Sequence, residues 1–544
     1  MEMKRILVVG VILLFIGVTI APAIAQNTEE SQTSRGNWLF VGGSGAGNYT
    51  RIQDAIDDAS DGDTVFVYDD SSPYYENLLI THSINLLGEH RESTIIDGGS
   101  TTHAIIIDAE NVIVSGFSVF QDLKWDAAIE VNYNFFSISD CNIKNTESSG
   151  IEVHSKKSFI TISNNFFLGP RGLWGIYFNG NNGQNIVNNN FFNASVYMTY
   201  GSDTRFENNT FQGYWMDLDG FRIILNNNYF NNCHGIEISR ESIILRNNIL
   251  THCGFSIQSG SIDVCYNNTV NGKPFIFLRN EHNLTIEDAG QVHCEDSSDI
   301  TIQNLNLEDV CHGIHLVNTE DSIIQENSML RCNIRIDESK NIQVTNNTIF
   351  ANGTGINSGY HVGIQIGYSM NVEVTGNNIT NCSTSGVESS GSEISICDNI
   401  FVGNDLGLEA GSGHNISGNI FIGNDIGLKV GSGNNIIGNH IEKSGIALIL
   451  YDASNTIVHQ NNFINNKKDA TFSELSRSHG NNWDNNYWDD AFFPFGYKFI
   501  FGTVQTEIPR LWQPFPGETQ YYWIRWINLD KNPAQEPYDI PGMS

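Results

Sequence analysis

The chain has 544 residues and carries 28 basic against 61 acidic side chains, a formal net charge of −33. That sign and size argue against nucleic acid and anionic membranes as partners, and suit a solvated acidic surface or cation binding. Nine cysteines, an odd number spread over residues 141–397 with no CxxC spacing, exclude a zinc ribbon and a small disulfide-stapled domain.

Residues 1–25 read as a secretory signal peptide. Lys4 and Arg5 precede an apolar run from Ile6 to Ile20, and Ala23-Ile24-Ala25 forms a cleavage signature. The run is shorter than a usual membrane span and no later stretch is comparably apolar, so the expected location is secreted or at the cell surface. Residues 26–48 read as a linker, and 49–125 as an N-terminal cap with the first coils. In "YTRIQDAIDDAS" (49–60), Ile52, Ala55, Ile56 and Ala59 fall on one face of a short helix. "DGDTVFV" (61–67) then opens a strand.

Residues 126–466 are a repeat. "FVGNDLGLEAGSGHNISGN" (401–419) and "FIGNDIGLKVGSGNNIIGN" (421–439) agree at most positions at an offset of 20 residues. An Asn followed closely by an apolar residue recurs through Asn142, Asn165, Asn190, Asn209, Asn228, Asn248, Asn268, Asn327, Asn347, Asn378, Asn399, Asn419, Asn439 and Asn462. A fixed period of this length marks stacked units. Within each unit the apolar residues alternate with period two, as in "GIEV", "GIYF", "GIEI" and "GIHL", which means strands, and Gly, Asn and Ser make the corners. Three short strands per coil give an all-β parallel solenoid. Coils one strand spacing apart, about 4.8 Å, would make 15 to 18 of them a rod roughly 75–85 Å long. The recurrent Asn is expected to form an internal ladder that satisfies buried corner backbone.

Residues 467–544 depart from this beat. "NNWDNNYWDD" (481–490) is aromatic, and an open solenoid end needs a cover. Trp483, Tyr487 and Trp488 are expected to supply it, with sugar stacking as their alternative use.

Pairs such as "NNCHG" (231–235) and "VCHGIHL" (311–317) set Cys beside His, a soft-metal combination. Aligned coils, however, place Cys233, Cys253, Cys311, Cys332 and Cys382 at one inward corner, with Asp405 and Asp425 taking that place later. A residue adjacent in extended chain faces the other way, so His234 faces out and the pair does not chelate. His312 and His315 remain the copper candidates, against the plainer reading of two solvated histidines. The x of each G-I-x-I strand is exposed, giving a column of Glu130, Glu152, Tyr177, Glu237, His315, Arg335, Gln365, Glu388, Glu409 and Lys429. Glu130 and Glu152 on neighbouring coils would sit about one strand spacing apart. Like charges that close call for a shared proton or for calcium, the cofactor this pair would take. His154 joins them as a catalytic candidate. Asp217, Asp219 and Arg222 in "YWMDLDGFR" form a second constellation, the two aspartates on one strand face. A polar solenoid surface is the alternative for both.

On these repeats, on "YTRIQDAIDDASDGDTVFVYDDSSPYYENLLITHSINLLGE" (49–89) and on "TIIDGG" (94–99), the chain resembles the right-handed parallel β-helix proteins of the NosD-like and "carbohydrate-binding and sugar hydrolysis" group, over roughly residues 40–530. The resemblance implies a helix plugging the first coil and an aromatic C-terminal cap. It also implies pectate-lyase-like chemistry, in which carboxylate-held calcium works beside a basic residue, or copper delivery. The ordered N-T-D, D-D, G-H-G and R-I-K set of polygalacturonases is missing, and so is the D-P-H of mannuronan epimerases; "GSGHNIS" (411–417) is the nearest approach. Copper is disfavoured because mature Met residues are few and scattered. The expected function is binding or adhesion to an extracellular polysaccharide or cell-envelope glycan. A polysaccharide lyase or glycoside hydrolase is the alternative, and a copper-binding maturation factor a weaker one.

Overall fold

The structure is a computed structural model that describes residues 36–122, 124, 126–145, 147–351, 362–474, 480–490, 497–507 and 521–541. Residues 1–25, read above as a signal peptide, and Met543 lie outside the described residues. Strand Trp38–Val41, in the stretch read as linker, pairs in parallel with Thr64–Val67 and so begins the sheet. Between them helix Ile52–Asp57 buries Ile52, Ala55 and Ile56, with Ala59 just beyond. Its first N–H groups have no cap of their own. The Glu76 carboxylate takes them instead, accepting from Ile52 N at 2.9 Å and Gln53 N at 3.0 Å.

Each later coil supplies three short strands. Ser137–Ser139, Asn142–Lys144 and Ile151–Val153 pair in parallel, residue for residue, with Thr161–Ser163, Phe166–Leu168 and Ile176–Phe178 of the next. The winding continues for about 19 turns, a parallel β-helix with almost no helix. Alternation turns one side of every strand into the core, where Phe167, Phe191, Phe211 and Phe230 stack at 4.6, 4.6 and 4.9 Å, the repeat of the strands themselves.

The Asn ladder exists, with a corrected register. Asn165, Asn189, Asn209, Asn228, Asn248 and Asn268 form one run, each offering its backbone N–H and Nδ2 to the next Oδ1 at 2.9–3.1 Å. Asn327, Asn347, Asn377, Asn399, Asn419, Asn439, Asn461 and Asn486 form a second. Asn142, Asn190, Asn378 and Asn462 stand one residue past the rung. In "NN" doublets the first Asn takes a left-handed φ near 55°, as Asn188, Asn208 and Asn227 do, and the second turns inward. The same one-residue error affects the cysteine corner: Asn404 and Asn424, not Asp405 and Asp425, continue the Cys382 column. Cys233, Cys253, Cys332 and Cys382 are buried as expected, and no described cysteine is in a disulfide.

Past residue 466 the coils go on. Lys468–Glu474, Asn482–Asp484 and Tyr487–Trp488 pair with the coil before them, and Trp488 stacks on Phe463 at 4.2 Å. Trp483 and Trp488 therefore belong to the core of a last coil. The cover is the antiparallel pair Lys498–Glu507 and Tyr521–Asp530, whose buried Asp530 carboxylate ends the ladder by accepting from Asn486 N and Nδ2.

The coils do not form one uninterrupted stack. At Thr269–Val270 the chain reverses through Asn271 and Gly272, and Lys273–Arg279 runs antiparallel before starting a new stack with Gln291–Glu295. Side chains close the seam. Gln291 accepts from Phe255 N and donates to the Phe255 and His312 carbonyls. Glu295, 0% exposed, accepts from Ser259 Oγ, Gly260 N and Arg279. Asp309 accepts from His252 and Arg331.

A candidate site along one strand column

Strand register fixes which outward side chains are neighbours. Glu130 lies opposite Glu152, Glu152 opposite Tyr177, Tyr177 opposite Tyr197, Tyr197 opposite Asp217, Asp217 opposite Glu237, and Glu237 opposite Ser256. The two sequence constellations are thus parts of one column. Between its acidic ends lies an aromatic platform. Tyr177 and Tyr197 stack at 5.5 Å and 6°, Trp174 is 4.6 Å from Tyr197 and 6.0 Å from Tyr214, and Tyr214 is 5.8 Å from His234. Trp174, Tyr197 and Tyr214 escaped sequence reasoning: Trp174 and Tyr214 stand outside the aligned alternation, and the coil "NASVYMTY" that holds Tyr197 has no Gly before its own. Setting V-Y-M against I-Y-F would have placed Tyr197.

At one end, Glu130 accepts from His154 Nε2 at 2.6 Å and lies 3.1 Å from His103 Nε2. His103 is therefore a site residue the sequence did not point to. Glu130 thus has two imidazole nitrogens beside its carboxylate as well as Glu152 across the register. Among the described residues, the sets of three His, Cys or carboxylate donors within 4.8 Å of one another are Asp69, Glu89, His90 and Asp469, Asp489, Asp490, so neither Glu130 nor Glu152 has a third such donor.

At the other end, burial, then Glu237 and Asp219, push the Asp217 carboxyl up to about 6. Asp219 is taken by Arg240, whose guanidinium lies 4.8 Å over the Tyr200 ring. Arg222 is turned away from both aspartates: Nε and Nη2 donate to Asp203 at 2.6 Å each, holding that carboxyl below its usual range. Asp217, Asp219 and Arg222 do not form a triad, because the positive φ of Arg222 carries its side chain round the corner to the neighbouring coil.

His312 and His315 lie at the seam, where His315 is buried instead of solvated. His315 is 5% exposed, its ring centroid 4.8 Å from that of buried His293 and 5.7 Å from that of partly exposed His312. Burial holds all three below the ordinary imidazole range. His312 Nδ1 engages Asn333 and His315 Nε2 engages Asp337, each at 3.0 Å. Among the described residues, no third His, Cys or carboxylate donor joins them within 4.8 Å. A groove of about 500 Å³ opens here between the stacks, lined by Glu237, Ser256, Gln258, Ser259, His315, Arg335, Asp337 and Tyr368. A second, of about 590 Å³, adjoins it through Ser239, Gln258 and Ser259 and reaches Asp219 and Arg240.

Residues 276–430 and 356–492 match the family model described as periplasmic copper-binding protein (NosD). The match covers less than half of the chain and starts where the second stack starts. No curated protein matches the chain significantly. Similar solved structures include the PL6 family alginate lyase AlyGC, 11% identical over 82% of this chain and 100% of that one, TM-score 0.23. PfbA, a surface adhesin of Streptococcus pneumoniae, is 11% identical over 79% and 89%, TM-score 0.25. The A-module of the Azotobacter vinelandii mannuronan C-5 epimerase AlgE6 is 13% identical over 64% and 88%, TM-score 0.19. At such scores the fold is argued from the chain's own strand register. No described helix is long and apolar enough to cross a membrane, and an extracytoplasmic setting agrees with the family's description. By repeat and fold, the chain is a NosD-like parallel β-helix repeat protein.

Proposed function

We propose that this extracytoplasmic β-helix protein binds an extended polysaccharide, of the extracellular matrix or the cell envelope, along the column from Glu130 to Glu237. One observation carries the reading: Trp174, Tyr177, Tyr197 and Tyr214 form a continuous ring platform on an outward sheet face, bracketed by carboxylates. Aromatic faces take the apolar faces of sugar rings, and a few fixed polar groups orient them. Calcium is an added possibility at Glu130 and Glu152, but it would have to displace His154 from Glu130.

The test is electrophoresis through gels cast with alginate, polygalacturonate, dextran or a β-glucan. At least one polymer should retard the protein, and Tyr197→Ala should weaken the retardation several-fold. Unretarded migration in every gel, with folded protein, contradicts the reading.

Chain cleavage is a second reading, favoured by the raised Asp217 carboxyl one rung from Glu237. It requires new reducing or unsaturated ends that disappear in Asp217→Asn.

A further inference from the structure

Three carboxylates of the column have no partner of their own. Glu152, Asp217 and Glu237 are partly exposed, and among the described residues none of them accepts a hydrogen bond or forms an ion pair. Elsewhere the outward strands and corners answer such a carboxylate with a cation. Lys429 Nζ donates to Glu409 on the coil before it at 2.7 Å, Arg335 Nε to Asp337 at 2.6 Å, and Arg222 to Asp203. Beside the column, Arg240 takes Asp219 and His154 takes Glu130. The carboxylates left over are the ones that flank the ring platform.

Register sets two of the three together. Asp217 lies opposite Glu237 on the next coil, about one strand spacing away. Two like charges so close favour each other's protonated form unless a cation joins them. The same field reaches the rings. Burial, then Asp217, Tyr177, Asp219 and Glu237, push the Tyr197 hydroxyl up. Those charges decide which glycan the rings accept. A polyuronate laid over Tyr177 and Tyr197 would bring further carboxylates against these groups, on a chain whose net charge is already −33. A neutral glycan stacks but leaves the three carboxylates unanswered. A sugar carrying an ammonium group brings what they lack, a positive charge with N–H donors, on a ring that still stacks on the tyrosines.

We infer that the column selects a glycan with free amino groups, one ammonium lodging between Asp217 and Glu237 and another beside Glu152 while the sugar rings lie on Tyr177 and Tyr197. The inference rests on the glycan-binding reading of the column and names the class of glycan it takes.

Calorimetry tests it, with a chelator present to remove calcium and in buffer acidic enough to protonate the sugar amines. The probes are the β-1,4 hexamers of glucosamine and of glucose, which differ in one substituent per ring, together with hexagalacturonate and hexalysine. The glucosamine hexamer should bind about tenfold tighter than the glucose hexamer, the gain expected for a charge-assisted hydrogen bond, and hexagalacturonate should bind weakest. The double variant Asp217→Asn, Glu237→Gln should bring the glucosamine and glucose hexamers close to equal. Glu320→Gln with Glu373→Gln, exposed on the second stack, removes the same charge and should leave the preference in place. Tyr197→Ala should weaken both hexamers alike. Equal affinities for the two hexamers in the wild type overturn the amino-sugar assignment. So does a preference that survives the Asp217 and Glu237 changes or disappears in the second-stack control, and so does hexalysine binding as tightly as the glucosamine hexamer. If Tyr197→Ala still weakens the glucose hexamer in any of these cases, the column reading stands. Binding of no sugar hexamer at all overturns the column reading itself.

Discussion

Asn209 and Asn190 look equivalent in sequence, each in a run of asparagines ahead of an apolar residue, yet they do opposite things. Asn209 is buried and accepts from Asn189 N and Nδ2, while its own Nδ2 reaches the Ile186 carbonyl. Asn190 is exposed at the head of a strand. Asn209→Ala strands buried donors and should cost about 1–3 kcal/mol, whereas Asn190→Ala should stay within about 0.5 kcal/mol. Urea denaturation of the two variants separates them, and equal losses would refute the corrected register. Doublets explain why the sequence misled here: spacing alone cannot tell which of two adjacent asparagines bends left-handed and which turns in.

Asp217 makes a second residue-scale prediction. Its folded pKa of about 6 lies above the unfolded value near 3.9, so the folded state binds the proton more tightly. Its contribution to stability is present below about pH 4 and is lost as pH rises through about 6. Asp217→Asn should therefore match the wild type near pH 4 and melt higher than it at pH 7.5. A variant no more stable than wild type at pH 7.5 would contradict the assigned burial and the Glu237 neighbour.

Among the elements, those with a local pattern were legible. The helix face of Ile52, Ala55, Ile56 and Ala59, the inward strand alternation and the two outward columns, Glu130 to Glu237 and Arg335 to Lys429, follow from period and register, whereas His315, expected outward, is buried. The seam was not, because its partners are 35 to 57 residues apart in sequence and touch through side chains: Gln291 with Phe255, Glu295 with Gly260, Asp309 with His252. One signal was present. Asn271-Gly272, both with positive φ, is the dipeptide of a tight hairpin, and it sits where the parallel winding reverses. Because no backbone ladder joins Phe255–Ile257 to the second stack, Glu295 should matter out of proportion. Glu295→Ala leaves Arg279 and Gly260 N without their acceptor and should cost about 3 kcal/mol. Amide hydrogen exchange across 255–260 should accelerate well before the rest of the chain. Unchanged exchange there would mean that the seam is held by other contacts.

In the whole molecule, the two stacks divide the labour that the resemblance had lumped together. The NosD model begins at residue 276 and covers the second stack, while the acidic and aromatic column lies in the first and meets the second at the groove. A family label attached to the second half therefore says little about the face most suited to a ligand. Burial pushes the Cys141, Cys294 and Cys382 thiols up to about 12 and the Cys332 thiol further in the same direction, which keeps these four as protonated core groups.

The most direct test of this account is a crystal structure of the protein soaked with a hexasaccharide of the polymer it binds. Sugar density running over Tyr177 and Tyr197 toward Glu237 is the predicted result. Density on another face, such as the exposed side of the 498–530 hairpin, with the column bare, would contradict it.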